Sequence, residues 1–334
     1  SRPHAGSAPR GRRQGTAVLS LSTDDLCELL DRSSLIDALE QMFRQGCEAP
    51  VRHHHTMAMP GGPDATLLLM PAWIPGQFIG TKVANVFPGN GAVGLPAVQS
   101  VYLLFSGRTG ELLATMAGAE LTTRRTVAAS SLALRFLARP DASRLVLVGT
   151  GEVAHQIPAS HAAVRPIAEV VVWGRDSDKA AELARSLAAQ GFRASATRDL
   201  ADAVGTADIV SAATLTREPL IKGEWLQPGT HLDLIGGFTP LMREADDEAV
   251  RRSSVFIDTE GARHEAGDIV QPLKSGVLTE DRILADLPDL ARGLHPGRTS
   301  PDEITLFKST GASAEDLAAA ILAYSRATEG GPRE

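Results

Sequence analysis

The chain has 334 residues, 43% hydrophobic and 22% charged, with a formal net charge of −7. That length exceeds the usual single domain, so two domains are expected, each able to bury a core without disulfide or metal staples. The charge balance offers no basic excess for a nucleic-acid groove or a membrane surface, no apolar run approaches the roughly 20 residues that span a bilayer, and Cys27 and Cys47 suit neither a disulfide framework nor a zinc or redox motif.

A cytoplasmic protein acting on a small molecule is therefore expected, with no nucleic acid and no membrane among its partners. Residues 1–16 place Arg2, Arg10, Arg12 and Arg13 among Gly, Pro and Ser, a composition expected to remain a disordered tail. From Leu21 to Gln45 the residues Leu26, Leu29, Leu30, Leu35, Ile36, Leu39, Met42 and Phe43 recur at helical spacing. They predict two short helices, with Ser22 or Thr23 and Ser33 or Ser34 as caps. The apolar runs "ATLLLMPAW", "FIGTKVANVF" and "SVYLLFS", broken by Pro- and Gly-rich turns, predict an antiparallel sheet. A hairpin turn at "SGRTGEL" and a long helix over "AELTTRRTVAASSLALRFLA" follow.

From Leu145 the pattern changes. "LVLVGTGEVA", "AEVVVWGRD", "ADIVSAAT", "THLDLIGG" and "SVFIDT" are short strands separated by helical or turn-bearing segments, which predicts a doubly wound parallel sheet. The strand-like "EITLFKS" and an amphipathic helix over "GASAEDLAAAILAYSRA", with Ser313 as its cap, close the chain.

Gly149, Gly151 and Ala154 fit G-x-G-x-x-A directly after an apolar strand. The first glycine serves a tight turn, the second a close pyrophosphate approach, and the small third residue helix–strand packing. An NAD site wants a carboxylate at the end of the second strand for the ribose 2′-hydroxyl, where this chain has Gly174 and Arg175. Arg175 can pair with a 2′-phosphate, so NADPH is the preferred cofactor; Asp176, one residue later, keeps NADH as the alternative. In the first part of the chain Arg52, Lys82 and Arg125 interrupt neutral or apolar settings. Arg125, read as lying at a helix start, can join helix amides in holding a carboxylate; the alternative reading is three unrelated surface cations. His53, His54 and His55 alternate sides on a strand and cannot converge on one ion, so no metal is expected.

With these segments in order, the chain resembles the ornithine cyclodeaminase/mu-crystallin family from about residue 20 to residue 328. The resemblance is carried by "GTKVANVFPGNGAVGLP", "TGELLATMAGAELTTRRTVAAS", "LVGTGEVA", "ADIVSAAT", "WLQPGTHLDLIGG", "MREADD", "GRTSPDEITLFKSTG" and "EDLAAA". It implies an α/β protein in which a Rossmann-type doubly wound parallel sheet, residues 124–303, is inserted into an α+β substrate-binding and dimerisation domain, residues 17–123 plus 304–330. A homodimer is implied as well. By position, Arg52, Lys82 and Arg125 match the family's substrate-carboxylate residues. Arg125, Glu152, Val153, Thr214, Asp233, Ile235, Gly236 and Lys308 or Ser309 match positions near the cofactor, Asp233 being read as an acceptor for backbone amides.

Cyclodeaminases proper carry an aspartate directly after the "GG" of the strand-end motif, a glutamate in the strand before "LMP" and an acidic ribose ligand. Here those positions are Phe238, Leu68 and Gly174, so cyclisation of ornithine is not expected. The wording "VRHHH", "LLLMPAW", "KGEWLQPGTHLDLIGGFTP" and "MREADD" is similar instead to the branch that reduces Δ1-pyrroline-2-carboxylate and Δ1-piperideine-2-carboxylate. The resemblance thus implies hydride transfer from NADPH to a cyclic imino acid, with Lys82 as proton donor and Phe238 as an apolar wall. An ornithine cyclodeaminase, an alanine-dehydrogenase-like enzyme and a non-catalytic NADPH- or ligand-binding protein are the alternatives.

Overall fold

The computed structural model describes residues 17–329; the expectation for residues 1–16 lies outside them. A short strand β1 (Leu19–Leu21) precedes α1 (Thr23–Leu29) and α2 (Arg32–Gln45). Ser22 caps α1 in a reciprocal box: its hydroxyl accepts from the Asp25 amide while the Asp25 carboxylate accepts from the Ser22 amide. The cap of α2 is Asp31, accepting from the Ser34 amide at 3.0 Å, and not Ser33 or Ser34, because the helix already begins at Arg32.

Strands β2 (His53–Met57), β3 (Ala65–Ile74), β4 (Phe78–Val86), β5 (Val98–Ser106) and β6 (Leu112–Ala117) follow. They form a six-stranded sheet in the order β1-β6-β5-β4-β3-β2, antiparallel except for β1 beside β6. The strand period of two divides its residues cleanly. The rows Leu68–Ala84–Ser100 and Met70–Lys82–Tyr102 point to one face, while Leu69–Val83–Val101 and Trp73–Ile79–Phe105 point to the other. α3 (Gly118–Leu137) then runs unbroken through residues 123 and 124, where the two domains were expected to meet.

The remaining elements are β7 (Arg144–Val148), α4 (Glu152–His161), β8 (Glu169–Trp173), α5 (Ser177–Ala189), β9 (Arg193–Ala196), α6 (Leu200–Gly205), β10 (Ile209–Ala212), β11 (His231–Leu234), α7 (Asp247–Arg252), β12 (Ser254–Ile257), α8 (Ala262–Glu265), α9 (Gly267–Ser275), β13 (Ile283–Asp286), α10 (Leu287–Arg292), β14 (Thr305–Lys308) and α11 (Ser313–Glu329). Eight strands make one parallel sheet in the order β13-β12-β14-β11-β10-β7-β8-β9. β14 lies between β11 and β12, although residues from 304 onward were expected in the first domain; a strand of four residues, buried on both faces, carries no periodicity that marks the sheet it joins. Ser313 is the first residue of α11 and not its cap, since the Glu315 amide already donates to the Ala312 carbonyl.

Helices cover both faces of the parallel sheet, giving two apolar layers, one around Val146, Val210 and Leu306 and one around Leu145, Val170 and Ile209. A third core joins α1, α2, α3 and α11 to the antiparallel sheet through Leu26, Ile36, Leu121 and Leu317. Chain order reverses between β7 and β10, the kind of switch point where doubly wound sheets open a crevice. Among the described residues no helix is long and apolar enough to cross a membrane.

Candidate active site

A cleft of about 430 Å³ opens at that switch point. Its floor is the inner face of the antiparallel sheet, with Leu68, Met70, Lys82, Ala84 and Ser100. Its roof is the set of turns that leave β7, β10, β11 and β14, with Gly151, Ala213, Ile235, Gly236 and Ser309. The size suits a small-molecule site, for which roughly 300–1,000 Å³ is usual.

One end is built for a phosphate-bearing group. Gly149 has φ +124°, and a Cβ there would stand 2.6 Å from the Ala213 carbonyl oxygen, so neither the backbone angle nor the space admits a side chain. Gly151 is the N-cap of α4 and carries no side-chain cap; a Cβ on it would meet nothing within 4 Å. The first amides of α4 are therefore unblocked, and the bare backbone at Gly151 leaves the approach of an anion open. These features fit a dinucleotide. Glu152 and Val153, the first two residues of α4, line the cleft. Gly174 packs on Thr150 of the turn and Arg175 is exposed beside it. Asp176 caps α5, accepting from the amides of Asp178 and Lys179.

Three residues expected near the cofactor point elsewhere. Asp233 is fully buried beneath α3, where it accepts from the hydroxyls of Ser130 and Ser211 and lies 3.4 Å from His161 Nε2. Burial works to raise its pKa, but the hydrogen bond and charge of His161, with the Ser130 hydroxyl, hold it below the usual carboxylate range. Its partners are side chains and not backbone amides. Thr214 turns both its amide and its hydroxyl onto Glu244 Oε1, each at 2.8 Å. Lys308 is fully buried between Asp268 and Glu244, 3.2 and 3.6 Å away. Its neighbour Ser309 lines the cleft instead, as strand alternation requires.

The other end of the cleft gathers Arg52, Lys82 and Arg125. Arg125 stands two turns into α3, too far from the first amides to share a ligand with them, which corrects its expected place at a helix start. It is buried against α11: Nε donates to Asp316 Oδ1 at 2.9 Å and Nη1 to Glu315 Oε2 at 2.7 Å. Lys82 Nζ lies 2.8 Å from Asp316 Oδ2 and donates to Thr122 Oγ1 at 3.3 Å. Arg52 donates to the Gly311 carbonyl at 2.6 Å and pairs with Glu265 at 3.1 Å. Burial pushes the Lys82 ammonium down to about 8, the charges of Arg125 and Arg52 add to that, and Asp316 opposes it. Burial lifts the Glu315 carboxyl to about 7 against the pull of Arg125.

Glu315 and Asp316 were missed in the sequence because two acids in the first turn of a helix ordinarily answer the helix dipole in solvent. Here they are completely buried. Asp258 was missed as well; it accepts from the amides of Thr259, Thr310 and Gly311 and from the Ser309 hydroxyl, which holds the turn before α11 against the cleft. Phe238 lines the cleft while 51% exposed, and Leu68 lies on the floor. His53 and His55 share one face of β2 with their rings in an edge contact, and His54 faces the other way. Among the described residues no group of three His, Cys, Asp or Glu could hold a metal ion.

The sequence model of the ornithine cyclodeaminase/mu-crystallin family matches residues 18–331. A Δ1-pyrroline-2-carboxylate reductase of Paracoccus denitrificans is 41% identical over 307 residues, 91% of this chain and 96% of that protein. Two solved structures superpose over nearly the full length. The Δ1-pyrroline-2-carboxylate reductase of Thermococcus litoralis, in complex with NADH and L-proline, has a TM-score of 0.88 at 34% identity, covering 94% of this chain and 98% of that one. An archaeal alanine dehydrogenase dimer with bound NAD has a TM-score of 0.86 at 29% identity, covering 95% and 98%.

Proposed function

Because the chain belongs to the ornithine cyclodeaminase/mu-crystallin family, we propose that it is an NAD(P)H-dependent reductase of cyclic imino acids. Δ1-Pyrroline-2-carboxylate would give L-proline, and Δ1-piperideine-2-carboxylate would give L-pipecolate. One observation carries this reading: a single cleft holds cations for a carboxylate at one end and an open glycine turn at the other, with the apolar Phe238 where a cyclodeaminase has its aspartate. The relatives named for this reaction, and the binding of NADH and L-proline by the Thermococcus enzyme, support it.

A nicotinamide cofactor held at the glycine turn of Gly149 and Gly151 would supply the hydride. The protein's part is orientation, exclusion of water and control of one proton. Arg125 Nη2, engaged by neither Glu315 nor Asp316, and the remaining donors of Arg52 hold the substrate carboxylate. Leu68, Met70 and Phe238 form the apolar wall beside the ring. As hydride reaches the imine carbon, the π pair of C=N collapses onto nitrogen, and Lys82 is the donor that hydrogen-bonds or protonates that nitrogen. Arg175, exposed beside Gly174 after β8, can pair with a 2′-phosphate, and this supports NADPH over NADH. A homodimer would cover the outer face of the antiparallel sheet, where Ile79 and Val101 are exposed beside Leu69 and Val83.

The test is loss of nicotinamide absorbance with purified protein, NADPH or NADH, and either imine. Oxidation that depends on the imine and needs no ammonia supports the reading. A strict ammonia requirement with a 2-keto acid would make it an amino-acid dehydrogenase, ammonia release from ornithine a cyclodeaminase, and tight cofactor binding without turnover a ligand-binding protein.

A further inference from the structure

Asp316 bridges the two buried cations of the substrate end. Each of its oxygens takes one: Oδ1 accepts from Arg125 Nε at 2.9 Å and Oδ2 lies 2.8 Å from Lys82 Nζ. The carboxylate is completely buried, so water cannot replace either contact. Glu315 takes Arg125 Nη1, and Thr122 takes a second proton of Lys82. What is left uncommitted is narrow, namely the ammonium donor of Lys82 that faces neither Asp316 nor Thr122, and the Nη2 group and second Nη1 proton of Arg125, on two side chains that both line the cleft.

We propose that Asp316 is the positioning residue of this reaction, fixing Lys82 and Arg125 so that one free donor group of each meets the substrate. This rests on the reductase reading for the substrate it names. The groups around Lys82 explain why an anion is needed. Arg125 on α3 and Arg52 ahead of β2 are both positive, and the buried Tyr102 hydroxyl lies opposite on β5. Glu315 is spent on Arg125, and Glu152 lines the same cleft from α4. Asp316 is the carboxylate in direct contact with the ammonium. Without it, burial and two guanidinium groups act on Lys82 unopposed, and an opposite charge at this distance is ordinarily worth about 1–3 pH units.

The experiment is the pH dependence of binding of tetrahydrofuran-2-carboxylate, an analogue whose ring oxygen can accept from Lys82, to the NADH-loaded protein, by calorimetry, with imine turnover followed in parallel. The parent is expected to lose binding above about pH 8. In Asp316→Asn that limb should fall by about one pH unit or more, making binding at pH 8 at least about fivefold weaker than in the parent, a difference that shrinks by about fivefold or more at pH 6. Glu315→Gln should raise KM and leave the limb in place. Asp316→Glu, which keeps the charge, should restore the limb, and it carries the test should the amide variant fail to fold. A uniform weakening at every pH by Asp316→Asn with NADH binding unchanged, or a limb that Asp316→Glu does not restore, would overturn the assignment. A parent that binds this analogue with the limb but reduces no imine would refute the reductase reading alone.

Discussion

Replacing Asp258 by alanine tests whether one buried carboxylate holds the turn that completes the cleft. Its Oδ2 accepts from the Thr310 amide at 2.6 Å, the Gly311 amide at 2.7 Å and the Ser309 hydroxyl at 3.2 Å, and its Oδ1 from the Thr259 amide at 2.6 Å. The Thr259 and Thr310 bonds are partly exposed, so water can replace them. Those of Gly311 and Ser309 are buried and would lose their acceptor outright. At roughly 1.5–3 kcal/mol for each bond to a charged group, the two buried bonds come to about 3–6 kcal/mol. That is a large share of a total stability of roughly 5–15 kcal/mol. Urea unfolding monitored by fluorescence reads the change as a shift in midpoint at unchanged slope. Gly311 is also where Arg52 donates, at 2.6 Å, so KM for the imine should rise in the same variant. A loss below about 1 kcal/mol with KM unchanged would mean that the turn before α11 is held by packing alone, and the reasoning would fail.

Lys82→Met should lower kcat about a hundredfold or more, the scale of a positioned proton donor; turnover within a few-fold of the parent, with weaker binding, would leave Lys82 as a carboxylate anchor only. Its folded pKa of about 8 lies below the ordinary 10.5, so between those values the unfolded chain binds more protons and stability rises with pH. Denaturation midpoints should show that rise in the parent and lack it in Lys82→Met. Arg175→Ala should weaken NADPH about tenfold and leave NADH unchanged in equilibrium titrations, since an exposed charge-assisted contact is worth little more than about 1.5 kcal/mol. Equal losses for both cofactors would remove the 2′-phosphate contact. Val101→Lys puts a charge in the exposed apolar face of the antiparallel sheet and should turn a dimer into a monomer by light scattering; a parent that is already monomeric would refute the dimer.

What the sequence disclosed follows from how local each signal is. The strand before Gly149 and the glycine spacing are neighbours in the chain, so the strand–turn–helix geometry there was legible without any tertiary contact. Lys82 stood out in the sequence as a cation in an apolar strand, but the face it points to, opposite Val83, came from the sheet. Asp233, Thr214 and Lys308 were placed near a ligand by the family resemblance, which carries a position along the chain but not whether its side chain faces the crevice or the layer beneath it. The acceptors that decide the matter, Glu244 and Asp268, lie far along the chain from Thr214 and Lys308 respectively. The same distance hid the substrate end, where Lys82, Arg125 and Asp316 come from a strand, a helix and the last helix of the chain. Each cation read singly is an ordinary surface residue, and each acid an ordinary helix-start residue. Their meeting in a buried group is what marks this end of the cleft for chemistry, because unsolvated charges are costly to gather and buried, perturbed titratable groups in a cleft are a mark of function.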